Sequence, residues 1–127
     1  MIGYLDNIEQ LTLANEHFRQ VLYTGQHIQL VVMSLKPLED IGLEVHETVD
    51  QFLRVEVGEG KFILNGEERN IAAGDAFVVP ATAQHNILNT SSDKPLKLYT
   101  IYSPPHHKDG TVHATKQDAQ KDTEDHL

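Results

Sequence analysis

At 127 residues the chain is one domain's worth of sequence, long enough to bury a hydrophobic core without covalent staples. The absence of cysteine excludes disulfides, thiolate zinc sites and a cysteine nucleophile, and fits a reducing compartment. A formal charge of −9 with no basic run argues against a nucleic-acid or anionic-membrane surface.

The opening MIGYLDNIEQLTLANEHF lacks the basic-then-apolar layout of a secretory signal. No apolar run approaches the roughly 18–20 residues that a bilayer span needs. A cytoplasmic protein is expected. Residues 1–17 do not alternate cleanly and read as a short helix or an arm.

Residues 18–103 hold the strand-like material. FRQVLYT runs to a break at Gly25; QHIQLVVMSL is long and β-rich; the turn KPLEDIG leads to LEVHETVD and QFLRVEV, which GEG ends. KFILNGEE carries Asn65-Gly66, a strong hairpin signal, and ERNIAAGD closes on a Gly-Asp turn. AFVVPATAQHNILNT and LKLYTIYS complete the series. Short strands at this spacing predict an all-β sandwich or barrel of roughly six to eight strands. Residues 104–127 form a Pro-opened polar tail, whose TKQDAQKDTED reads either as a terminal helix or as solvated and disordered.

Strand alternation puts Glu44 and His46 on one face, with Leu43 and Val45 on the other. Gln51, Leu53, Val55 and Val57 share a face, opposite Phe52, Arg54 and Glu56. If both inner faces turn into a barrel, Glu44, His46 and Gln51 converge there, and His85 joins them from a later strand. Thr100 and Tyr102 line the pocket if they face inward; otherwise Tyr99 does. His27 is placed in a strand, facing the packing or the surface. The tail histidines His106, His107 and His113 read as solvated, or else as a cover over the barrel mouth. Arg54 and Glu56 suit either solvent or an interface between copies.

LEVHETVDQFLRVEVG resembles the first motif of the cupin superfamily, G-x5-H-x-H-x3,4-E-x6-G. Counting back from Gly58, Gln51 takes the Glu position, His46 the second His and Glu44 the first; the opening Gly falls on Leu38. The second motif, G-x5-P-x-G-x2-H-x3-N, matches Gly74, Pro80, His85 and Asn89, with Thr82 in place of the middle Gly. The tail SPPHHKDGTVHATKQDA is similar to that of small bacterial cupins, some labelled mannose-6-phosphate isomerase.

The resemblance implies a double-stranded β-helix, a jelly-roll-like barrel with an N-terminal arm and a C-terminal tail. It also implies one divalent metal held by Glu44, His46, Gln51 and His85, and a homodimer. Glu for His and Gln for Glu leave two imidazoles, a carboxylate and an amide, suited to Mn, Fe or Zn, with Ni as a further choice. The composition matches the facial triad of non-haem iron oxygenases, but the order Glu44-x-His46 is reversed and no Arg for an oxo-acid cosubstrate follows.

The expected function is that of a metal-dependent enzyme, an isomerase or dioxygenase, acting on a small uncharged or weakly acidic metabolite. Glu44, with its pKa raised by burial, and Tyr102 are the candidate catalytic groups. The alternative is a cupin that binds a sugar-like small molecule without turnover. The lack of a basic clamp near the expected mouth counts against a phosphorylated sugar.

Overall fold

The structure is a computed structural model and describes residues 2–127. Helix α1 (Ile8–Ala14) precedes strands β1 (Arg19–Thr24), β2 (Gln29–Leu35), β3 (Glu44–Val45), β4 (Asp50–Val57), β5 (Glu59–Leu64), β6 (Glu67–Ala72), β7 (Ala76–Val79), β8 (Gln84–Asn89), β9 (Leu96–Ser103) and β10 (Val112–His113), and α2 (Lys116–Lys121) follows. They form two facing antiparallel sheets, one ordered β10-β1-β2-β9-β4-β7 and the other β3-β8-β5-β6. This is the jelly-roll-like architecture that the resemblance implies, with ten strands where roughly six to eight are expected, two of them (β3 and β10) only two residues long.

The core lies between the sheets. Val31, Met33 and Leu35 of β2, Leu53 and Val55 of β4, and Leu96 and Leu98 of β9 are each fully buried there. Truncating any of these leucines to Ala costs about 2–5 kcal/mol. β2 is apolar on both faces because its outer face is covered too: Val32 is buried on the side where α1 packs. Asn7 caps α1 by accepting the backbone N–H of Gln10 at 2.9 Å. The Lys97 ammonium then ties the end of the helix to β9, donating to Leu13 O at 2.8 Å and to Glu16 Oε1 at 3.1 Å.

Asn65 and Gly66 form the predicted two-residue hairpin loop, both with positive φ (48° and 82°), between Leu64 and Glu67, which pair directly. A Cβ on Gly60 would run into the Leu88 carbonyl of the neighbouring strand, which explains a glycine in mid-sheet.

Two expectations need correcting. β4 carries a bulge between Val55 and Val57, so Val57 leaves the buried face of Gln51, Leu53 and Val55 and is exposed. His27 precedes β2 in an exposed bend rather than lying in a strand.

The tail packs against the barrel. β10 pairs with β1, Thr115 and Asp118 form a capping box at the start of α2, and Ala119 packs onto the core. Lys116 on α2 forms an ion pair with Asp40.

Candidate metal centre

Three cross-strand pairs bring the polar residues together at one end of the barrel. Glu44 faces His85 across β3 and β8, Gln51 faces Tyr102 across β4 and β9, and Arg19 faces His113 across β1 and β10. Directly opposed residues on one face of a sheet have neighbouring side chains, so each pair delivers two groups to the same place. His46 lies one residue beyond β3, where its carbonyl accepts the backbone N–H of Thr82 at 2.7 Å.

The donor atoms of Glu44, His46 and His85 all lie within 4.8 Å of one another. The hydrogen bonds around them decide which atoms are free. His85 Nδ1 is 3.1 Å from the Ala83 carbonyl, which only accepts, so Nδ1 carries the proton and Nε2 keeps its lone pair. His46 Nε2 is buried and lacks a hydrogen-bond partner among the described residues. It lies 3.2 Å from Glu44 Oε2, but without the alignment of a hydrogen bond.

Gln51 is oriented by a similar chain. The Thr100 hydroxyl donates to Phe52 O at 2.8 Å and therefore accepts from Gln51 Nε2 at 3.0 Å. That leaves Gln51 Oε1 buried and unpartnered among the described residues. Two bare buried polar atoms are costly without a partner to meet them. Imidazole, carboxylate and amide-oxygen donors in this arrangement fit a divalent ion.

Burial alone raises the Glu44 pKa. The contact with His46, the Arg19 guanidinium and the charges of His46 and His85 more than offset it, leaving the carboxyl below its usual range. The expected shift toward neutrality is thus reversed, and Glu44 stays a carboxylate. Burial pushes His85 down as well, keeping the ring neutral, as a ligand must be. Tyr102, only 2% exposed, is driven far up by burial and remains a phenol.

The tail closes this end of the barrel. The His106 ring sits 4.3 Å from the His46 ring and 5.3 Å from the Tyr102 ring, centre to centre. His107, 1% exposed, donates from Nδ1 to Asp125 Oδ2 at 2.7 Å and presents Nε2 to the Tyr102 hydroxyl at 3.4 Å. Burial lowers the His106 pKa to about 4 and holds His107 neutral. The solvated reading of these histidines is therefore replaced by a packed one.

Two other clusters have metal-like spacing, His106–His107–His126 and His113–Asp122–Asp125. In the first, both ring nitrogens of His107 already face Asp125 and Tyr102. In the second, His113 Nδ1 faces Arg19 Nη1 at 3.3 Å and Nε2 faces Asp122 at 3.0 Å, so that ring has no lone pair to offer. A wider groove of about 490 Å³ between β6 and β7 has none of these donors in its lining.

Sequence reasoning missed Arg19, His107 as a buried group and Asp125. Arg19 carried one usable signal: it shares a strand face with Val21, and a charged residue on an inward face is unusual.

Residues 31–102 match the family described as the cupin domain. YrkC of Bacillus subtilis is 50% identical over 123 residues, which make up 91% of this chain and 65% of that protein, so the chain spans just under two thirds of it. The crystal structure of BH2720 from Bacillus halodurans is 43% identical with a TM-score of 0.91, covering 94% of each chain. A predicted oxalate decarboxylase from Thermotoga maritima is 29% identical over 59% of this chain and 64% of its own, with a TM-score of 0.56. With its family motifs on adjoining strands of two facing sheets and relatives of this identity, the chain belongs to the cupin family.

Proposed function

We propose that this chain is a metal-dependent cupin enzyme. Glu44, His46 and His85 hold one divalent ion, Gln51 Oε1 adds a fourth donor, and the substrate is a small oxygen-bearing metabolite. The observation that carries this reading is the buried, unpartnered His46 Nε2 grouped with the Glu44 carboxylate and the lone-pair-bearing His85 imidazole, together with the buried, unpartnered Gln51 Oε1. Likeness to a protein described as a predicted oxalate decarboxylase is in keeping with a small acid as substrate.

When bound, the ion supplies polarisation of a carbonyl or hydroxyl oxygen, and a redox-active ion also supplies O2 chemistry. The chain's own residues set the stage. Glu44 stays ionised, and His85 is held by Ala83 with Nε2 outward. Tyr102 keeps its proton and turns it toward His107 Nε2, which has only a lone pair to offer. His106 and His107 keep bulk water off that end of the barrel.

A second reading, binding without turnover, has one observation in its favour. Glu44, His85, His106 and His107 shift down and Tyr102 shifts up, so none of these moves toward neutrality to serve as a base.

Elemental analysis with native mass spectrometry of untagged protein tests the proposal. One ion per chain, lost in His46→Ala while the fold persists, is the expected result. A metal-free protein that stays so when Mn, Fe and Zn are offered overturns it. Ligand affinity that survives metal removal selects the second reading.

A further inference from the structure

Arg19 is 5% exposed, yet no carboxylate lies within ion-pair reach of its guanidinium among the described residues. Nη1 meets the Nδ1 of His113 at 3.3 Å, and the Tyr102 phenol is a further uncharged neighbour of the guanidinium. Nε is buried with no hydrogen-bond partner among the described residues. The guanidinium also lies 5.3 Å from the centre of the Phe18 ring, a contact that partly shields the charge but accepts no hydrogen bond.

A buried, unpaired cation is costly, and Arg cannot escape the cost by losing its proton. His113 cannot answer the charge either. Its Nε2–H is committed to Asp122, so the ring brings Arg19 only the Nδ1 lone pair. The Arg19 charge nevertheless reaches the candidate metal centre, since it helps to hold Glu44 ionised and disfavours protonation of His106 and His107. Arg19 and Glu44 line one cleft of about 150 Å³ together with Asp125 and His126 of the tail and with Lys116, whose ammonium is paired with Asp40.

We propose that Arg19 is the anion-binding residue of this site: the ligand is a small carboxylate, its charged end on the guanidinium fork and its neighbouring oxygen turned toward Glu44, His46 and His85. The fork geometry suits a planar carboxylate, and a cleft of this size suits a small acid rather than a sugar. This inference rests on the proposed metal reading for the second oxygen, but not for the carboxylate. It also changes the expectation that no basic clamp stands near the mouth.

The test compares glycolate with its neutral counterpart glycolamide by isothermal titration calorimetry. Both are titrated into chelator-stripped protein and into Mn-loaded protein, with wild type, Arg19→Gln and Arg19→Lys in parallel. Glycolate should bind wild type at least about tenfold more tightly than glycolamide, as a charge-assisted hydrogen bond implies. Arg19→Gln should bring the two within about twofold, since the charge-assisted contact is gone. Arg19→Lys, which keeps charge but not the fork, should fall between, and it carries the comparison if Arg19→Gln does not fold.

Equal binding of the acid and the amide by wild type, or a preference that survives Arg19→Gln, overturns the proposal. The bound-Mn stoichiometry reports separately. A protein that takes no Mn but still prefers glycolate through Arg19 keeps this inference and loses the metal reading. A protein that takes Mn without the preference does the reverse.

Discussion

The side-chain amide of Gln29 grips the backbone of His107 at both ends: Oε1 accepts its N–H at 2.9 Å and Nε2 donates to its carbonyl at 2.7 Å. The same Oε1 also accepts the His106 N–H at 3.1 Å. One fully buried residue of β2 thereby does for the tail what a neighbouring strand would do, and fixes two histidines over the candidate metal centre. Gln29→Leu keeps the approximate volume and removes every one of these bonds. Each backbone group left buried and bare costs about 1–3 kcal/mol, so the tail should detach before the barrel unfolds. Limited proteolysis should then cut within residues 104–127 of the variant and spare the wild type. An equally protected tail with an unchanged urea midpoint would show that Gln29 is not the anchor.

Thr100 should matter to metal affinity without touching the metal. Its hydroxyl donates to Phe52 O, so only its lone pair is left for Gln51, and this turns the amide oxygen of Gln51 the other way. In Thr100→Val the amide is free to rotate. Loss of such a supporting contact typically lowers metal affinity about 10–100-fold. Titration of Mn into chelator-stripped protein measures it. Unchanged affinity in Thr100→Val together with unchanged affinity in Gln51→Leu would remove Gln51 from the donor set.

Two departures from the cupin motifs point to backbone strain. Leu38 and Thr82 stand where the motifs have glycine, and both adopt positive φ, 63° and 76°. The backbone keeps the glycine conformation although the side chains do not suit it. Thr82 is β-branched, and its N–H holds the carbonyl of His46, so that strain lies next to a candidate ligand. Left-handed backbone at such a residue costs about 1–3 kcal/mol. Thr82→Gly should recover about 1 kcal/mol after the added chain entropy of glycine, and raise the melting temperature by a few degrees. Leu38→Gly should act in the same direction. A lower melting temperature in both variants would mean that their side chains contribute more than the strain removes.

Much of the barrel was legible because its signals are local. Asn65-Gly66 specifies its own turn, and alternation along β4 correctly turned Gln51, Leu53 and Val55 inward. Glu44, His46 and His85 were legible through spacing, and their donor atoms do lie together. What could not be read depends on contacts between distant parts of the chain. Gln29 and His107 are 78 residues apart, and Arg19 and His113 are 94 apart. A polar tail gives no period that would reveal a buried Asp125, because it is buried by pairing with His107 rather than by an apolar face. The bulge at Val57 was invisible for a related reason: one inserted residue shifts the alternation without changing composition.

The packed histidines also predict how acid unfolds the metal-free protein. Burial, followed by the charges of His46 and His126, takes the His106 pKa from 6.5 down to about 4. Between those values the unfolded chain binds a proton that the folded chain refuses. Stability is therefore complete above the unfolded value and is lost as pH falls toward the folded one. Each histidine of this kind lowers the folded-to-unfolded ratio by up to about tenfold per pH unit. His85 and His107 are depressed by burial too and act in the same direction. The depressed carboxyl of Glu44 adds to the loss only at lower pH, below its usual range. Urea midpoints of chelator-stripped protein should therefore begin to fall below about pH 6.5, well before carboxylates titrate. His106→Gln should make that fall shallower by about one proton's worth. A midpoint that holds level from neutrality to pH 5, or a slope that His106→Gln leaves unaltered, would mean that the tail opens to admit protons without loosening the fold.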